Sequence, residues 1–299
     1  MASQVPNHYV QQYANTLQLL LQQEGAVLMP GVTVGGGHYG EQASPVDQYA
    51  PIVAQQVVGR FNPMGNIEAA TDRRWVVPTD YDLPQLLDSF DKLRLLIDPT
   101  STMVQNAKNA IGRAMDSEIL TRVFGTNQTG KSGTTSTSFG TGQTVSVSQG
   151  AASATNLTLA KLREAKRILR SRNVNFGKEQ IFCAISSKEH DSLLAEIQVV
   201  HADFNGGKAP LVEDRLDRFM GINFIHTELI QTGTDDAAGT SNAVPLWCKS
   251  GLYLGMWQEM QTDISQRKDL QGIPWQAYVK ATFGATRLEE NKVVKIWCR

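Results

Sequence analysis

Apolar side chains recur at helical spacing near the start of this chain. Tyr9, Tyr13, Leu17, Leu20 and Leu21 share one face, and Gly25 offers a C-terminal stop. The opposite face is mostly glutamine (Gln11, Gln12, Gln18, Gln22), without the Lys or Arg that a membrane-surface helix needs, so this helix is expected to pack on protein. From Gly31 to Leu87 the periodicity is lost. Gly35, Gly36, Gly37 and Gly40, then Pro45, Pro51, Pro63, Pro78 and Pro84, separate short apolar runs such as Ile52-Val53 and Trp75-Val76-Val77. Runs this short, bounded by turn residues, predict an extended excursion with strand pieces. Such a segment is rare inside a compact domain, and packing on neighbouring subunits removes that objection.

A strong helical stripe follows. Asp98 is the expected N-cap, Pro99 the first helical residue, and Met103, Val104, Ala107, Ile111, Ala114, Met115, Ile119 and Val123 carry the face to Phe124. Gly125 is expected to end it in a left-handed conformation. A second helix is read over Leu157–Arg170, with Leu159, Leu162, Ala165 and Leu169 inward. Ile181–Ile185 is a buried-strand run, and Ser186-x-x-Glu189 has the spacing of a capping box. Ile222, Phe224 and His226 alternate as a strand that leads into a loop over Gly233–Asn242. Ala277, Val279, Ala281, Phe283 and Ala285 form one apolar strand face; Glu289–Lys292 turns the chain, and Val293, Val294 and Ile296 are expected to return it as a hairpin. Helices and strands mix without regular βαβ alternation, which predicts an α+β fold.

Composition narrows the functions open to this fold. The 299 residues suffice for a real core and more than one lobe. The formal net charge of −1 gives no general attraction to nucleic acid or anionic membrane. The 3 cysteines (Cys183, Cys248, Cys298) are scattered, which fits reduced structural thiols and neither a disulfide framework nor a zinc site. No signal peptide or membrane span is read, so the chain is expected to be soluble and made in a cytosol. Bases are uneven. No lysine precedes Lys92, whereas Lys161, Arg163, Lys166, Arg167, Arg170, Arg172 and Lys178 crowd one helical stretch. Without interleaved aromatics, that stretch reads as a solvated helix face rather than a nucleic-acid patch.

Gly125–Ser132, GTNQTGKS, satisfies the phosphate-loop pattern G-x-x-x-x-G-K-[ST]. Its setting argues against that chemistry: a helix end precedes it where a strand is required, and the Gly/Ser/Thr run after it cannot start a helix. Ile181–Ile185 ends in Ser186-Ser187, with no magnesium-binding aspartate. His201-x-Asp203 lacks a third ligand nearby and is read as surface loop. His226 is expected to be a hydrogen-bonded core histidine, and Asp235-Asp236 and Glu289-Glu290 are expected to be solvated turn acids. No catalytic, cofactor-binding or metal residue is assigned.

The order of elements carries more information than any motif. With "FDKLRLLIDPTS" leading into the long helix and "GATRLEENKVVKI" closing the chain, it resembles the major capsid proteins of tailed bacteriophages with the Hong Kong 97-like fold, closest to the branch of short-tailed phages. The resemblance implies an N-terminal arm (1–30), an extended loop over a neighbouring subunit (31–87), a peripheral domain (88–139 and 241–299, with a spine helix over 99–124) and an axial domain (140–240). It further implies self-assembly into pentameric and hexameric capsomers of an icosahedral virion shell, built in the host bacterial cytoplasm. The shell would enclose double-stranded DNA without sequence-specific binding, would work with a scaffolding protein, a portal and a cement protein, and would need no membrane. Some relatives weld their shells through a lysine of the extended loop; this loop has none, which implies a non-covalent shell. Two alternatives remain beside the phage head: an encapsulin-type compartment shell, and a P-loop nucleotidase acting through Gly125–Ser132.

Overall fold

The computed structural model describes residues 21–56, 59, 65–87, 100–200, 211–212 and 215–299. The expected N-terminal helix up to residue 20, the Asp98-Pro99 cap and the His201-x-Asp203 pair lie outside the described residues. The long stripe forms α1 (Thr100–Phe124), about 37 Å of helix at 1.5 Å per residue. Ala107, Ile111, Met115, Ile119, Leu120 and Val123 are buried on its inner face. They pack on a four-stranded sheet whose order is β1 (Thr33–Gly36), β15 (Leu252–Gln266), β16 (Trp275–Arg287), β4 (Thr79–Leu87). The apolar alternation in β16 holds: Ala277, Val279, Ala281, Phe283 and Ala285 are all buried.

A second sheet has the order β11 (Arg218–Phe219), β12 (Ile222–His226), β8 (Ile181–Ile185), β14 (Thr240–Cys248), β17 (Val293–Cys298), β7 (Thr144–Val145), with β13 (Thr232–Thr234) on β14. Every residue of β8 is buried, and the period of two explains why its sequence shows no alternation. Ile181, Cys183 and Ile185 face one cluster, built with Leu162, Ala165 and Leu169 of α2 (Leu159–Ser171). Phe182 and Ala184 face the other, which contains the inner face of α1. β14 divides the same way: Val244, Leu246 and Cys248 join the first cluster, and Trp247 the second. The helix after β8, α3 (Ser187–Leu194), opens with the expected capping box, in which Glu189 accepts from the backbone N–H of Ser186 at 3.0 Å.

Four expectations are corrected. β16 does not form a hairpin with the closing strand; it pairs with β15 and β4, and β17 crosses to pair antiparallel with β14 and parallel with β7. β16 has one apolar face and β17 is buried at five of its six positions, and the pattern alone does not say which partner each strand meets. The supposed loop over Gly233–Asn242 is instead a β13–β14 hairpin, Thr234 opposite Thr240. His226 is not a core residue: it is exposed at the end of β12, with Nε2 at 3.2 Å from Glu228. Gly125 is absent from the left-handed region; its N–H still donates to Thr121 O at 3.0 Å, and a Cβ there would lie 2.6 Å from that same oxygen. Close approach, not positive φ, requires the glycine.

Candidate functional site at the foot of the long helix

Gly125–Ser132 does not cradle an anion. Asn127–Thr129 is a strand, β5, paired antiparallel with β3 (Thr71–Val76) and with β6 (Thr135–Thr137). Gly130 (φ +84) and Gly133 (φ +71) bracket the turn that joins β5 to β6, where a phosphate loop would begin a helix. The Gly130 N–H already donates to Arg73 O at 3.1 Å and to the Asp72 carboxylate at 3.0 Å, and Gly130 O accepts from Trp75 Nε1 at 2.7 Å. An acid thus stands where a phosphate would have to approach, and the turn is fastened to the base of the extended segment. β2 (Ala43–Tyr49) completes this sheet in the order β2-β3-β5-β6.

Two arginines lock the same region. Arg287 has no exposed side-chain surface, and its Nη1 donates to Val123 O at 2.7 Å and Gly125 O at 3.1 Å. These are carbonyls at the end of α1, the negative end of the helix dipole, so the buried cation acts as its cap. Lys295 adds a second cation, 4.5 Å from the ring centroid of Phe124; burial, with Arg287 nearby, lowers its pKa. Arg74 of β3 is buried and makes a bidentate pair with Glu290 at 2.9 and 2.8 Å. Glu290 was expected to be a solvated turn acid, and the correction has a clear cause: it is the counter-ion of a buried guanidinium. Glu289 pairs with Lys292 at 3.2 Å. The quoted closing stretch "GATRLEENKVVKI" therefore contains the helix cap (Arg287), the clamp on the extended segment (Glu290) and Gly284, where a Cβ would lie 2.2 Å from Val77 O.

The turn acids Asp235 and Asp236 are also structural. Asp235 has no exposed side-chain surface and accepts from Ala237 N at 2.9 Å, Gly239 N at 2.8 Å, Arg299 Nη2 at 2.7 Å and the Ser241 hydroxyl. Burial opposes ionisation, but these donors outweigh it and hold the carboxyl at about 2. Asp236 accepts from Val147 N at 3.0 Å. The basic stretch on α2 needs one correction as well. Lys161 is fully buried, donating to Thr155 O at 2.6 Å and Trp297 O at 2.7 Å, and desolvation lowers its pKa. Arg163, Arg167, Arg170, Arg172 and Lys178 remain exposed, as a solvated face should be.

The segment before α1's partner sheet is pinned from the helix. Asp116, buried in α1, accepts from Val27 N at 2.9 Å, Leu28 N at 3.0 Å and Gln23 Nε2 at 2.5 Å; desolvation raises its pKa while these bonds oppose the rise. Gly112 lets the backbone pass, since a Cβ there would lie 2.4 Å from the carbonyl carbon of Gly25. The extended segment itself, in contrast, leaves large side chains uncovered: Tyr49, Ile52 and Val53 are 75%, 62% and 83% exposed. Among the described residues, no group of His, Cys, Asp and Glu is arranged to hold a metal, and no helix is long and apolar enough to cross a membrane. The three cysteines are free and buried, and desolvation pushes the Cys248 and Cys298 thiols up to about 12, far from a reactive thiolate.

Sequence reading missed Arg287, Arg74, Asp116 and Lys161 as organising residues. Charged side chains carry no periodic signal, and each acquires its role from a partner distant in the chain.

A family model described as "Phage capsid protein" matches residues 5–299. No curated protein matches the chain. Among solved structures, the chain is similar to the capsid of cyanophage P-SCSP1u (TM-score 0.76, 13% identity, 98% of this chain and 93% of that one). It is also similar to the capsid of cyanophage Pam1 (TM-score 0.75, 13% identity, 99% and 98%) and that of Ralstonia phage GP4 (TM-score 0.70, 11% identity, 100% and 98%).

Proposed function

This chain belongs to the phage capsid protein family, has the α+β Hong Kong 97-like capsid fold and serves as a major capsid protein of the head shell; from that premise we propose how its parts divide the labour. The observation that carries the reading is the extended segment clamped at its base by Arg74–Glu290 while Tyr49, Ile52 and Val53 stay uncovered. Apolar surface held out on a rigid base gains its burial from another copy, as in obligate assemblies. In this reading residues 1–30 are the N-terminal arm, 31–87 the loop reaching over a neighbour, 88–139 and 241–299 the peripheral domain, and 140–240 the axial domain. β14 and β17 come from the closing part of the chain, yet they complete the sheet of β8, so the two lobes share strands.

Assembly takes place in the host cytoplasm with a scaffolding protein and a portal, a cement protein adds outer support, and the chain performs no turnover. ATP hydrolysis by the purified protein that disappears in Lys131→Ala would contradict the last point. The exposed Arg163 and Arg167 of α2 belong to a surface for a protein partner, because a container gains nothing from gripping DNA that it must release. Charge reversal at both positions should lower the yield of closed shells, and an unchanged yield would refute that role. Negative-stain microscopy of the purified chain tests the whole reading: closed shells or capsomer rings are expected, and a persistently monomeric protein would overturn it.

A further inference from the structure

The outward face of α2 carries more positive charge than its own stretch of chain balances. Residues 161–179 hold seven cations and two acids, Glu164 and Glu179. Both acids are committed. Glu164 accepts from Arg167 Nε at 2.8 Å, and Glu179 accepts from the Ser250 hydroxyl at 2.6 Å and pairs with Lys292 at 3.6 Å. Arg163, Arg167, Arg170 and Arg172 are exposed, and the side chains of Arg163 and Arg172 make no hydrogen bond or ion pair with a described residue. Arg163, Arg167 and Arg170 stand at i, i+4 and i+7, one row about 10 Å long at the helical rise. Beside this row lies a cleft of about 400 Å³, lined by Gln149, Ala160, Arg163, Glu164 and Arg167. The turn that carries Gln149 is held close to α2 by Gly150, whose φ is +81 and where a Cβ would lie 2.5 Å from Ala160 Cβ.

We propose that this cleft and the arginine row bind an acidic segment of a partner protein, one carboxylate entering between Arg163 and Arg167 and further carboxylates meeting Arg170 and Arg172. A guanidinium offers a planar fork that matches a carboxylate, and Arg167 is already oriented by Glu164. A peptide suits the face better than nucleic acid does. The Phe176 ring is covered by Lys166 and Arg170, 5.3 and 5.2 Å from its centroid, so it is not open for a base to stack. A long polyanion is also repelled by the rest of the chain, whose first 91 residues carry nine acids and three arginines; a short acidic segment meets the cleft alone. The proposal rests on reading this face as a protein-binding surface and names the chemistry of its partner. It requires no shell, so its failure beside normal shells would leave the capsid reading intact.

The probe is a fluorescein-labelled peptide of alternating glutamate and alanine, titrated with the full chain and followed by anisotropy. Saturable binding is expected, weakened about tenfold by Arg163→Gln with Arg167→Gln and unchanged by Lys131→Gln, which alters an exposed cation in the β5–β6 turn. A peptide that does not bind, or that binds the double variant as tightly as the native chain, would overturn the proposal. So would a DNA duplex that binds more tightly than the peptide. Salt-sensitive self-association of the native chain that is lost in the double variant would assign the face to a second copy, and overturn it as well.

Discussion

Arg287 shows how one side chain can settle the end of a helix. Its guanidinium donates to Val123 O and Gly125 O from a site without solvent, so nothing else can supply those bonds if it is removed. Arg287→Met keeps the volume and removes the donor, and it should destabilise the unassembled subunit by about 2–4 kcal/mol, read as a lower urea midpoint. A loss below about 0.5 kcal/mol would mean that the carbonyls find another donor. Asp235 makes a prediction in pH. Its carboxyl lies at about 2 in the folded chain against an ordinary 3.8, so its contribution is fully present above 3.8 and is lost as pH falls through about 2. Asp235→Asn should therefore flatten the fall in Tm between pH 4 and pH 2. An identical slope in both proteins would show that the acid response arises elsewhere. Neither residue was legible in the sequence. "TRLEEN" and "TDDAAG" look like ordinary polar turns, and only the fold brings α1 to the first and Arg299 to the second.

At the scale of elements, periodicity was the dependable guide. α1, α2 and the face of β16 follow directly from their apolar spacing, because each buries one surface against its own chain, and β8 follows from an unbroken apolar run, because both of its faces are buried. Pairing was not legible in the same way. β17 was expected beside β16 because they are adjacent in sequence, yet it lies between β14 and β7. A strand with one apolar face fits any partner of matching register, and only the global packing selects one. Of the short apolar runs in the extended segment, Trp75-Val76 lies in β3, whereas Ile52-Val53 lies in no strand, and β2 is built from a stretch without an apolar run. Ile52→Asp with Val53→Asp should leave the melting of the isolated subunit within about 2 °C, since exposed substitutions rarely exceed about ±0.5 kcal/mol each. The same change should sharply reduce shell yield by light scattering. Shells at native yield would mean that this surface is not an assembly contact.

For the molecule as a whole, the phosphate-loop letters were the most misleading signal and the order of elements the most informative. Gly125–Ser132 matches the pattern at its specified positions, Gly125, Gly130, Lys131 and Ser132, but Asp72 occupies the N–H that an anion would need. The absence of lysine before Lys92 makes a chemical prediction for the particle: boiled in detergent, it should run as monomers, and covalent multimers in most subunits would contradict a non-covalent shell. Such a shell would carry any load on it through non-covalent contacts alone. β8 and β14 matter here because alternate residues of one sheet belong to two different cores. A wall common to two rooms cannot tilt without deforming both, so among the described residues these two cores should move together. Under load they should behave as a single stiff tile, with elastic give confined to the projecting segments and to the seams between tiles.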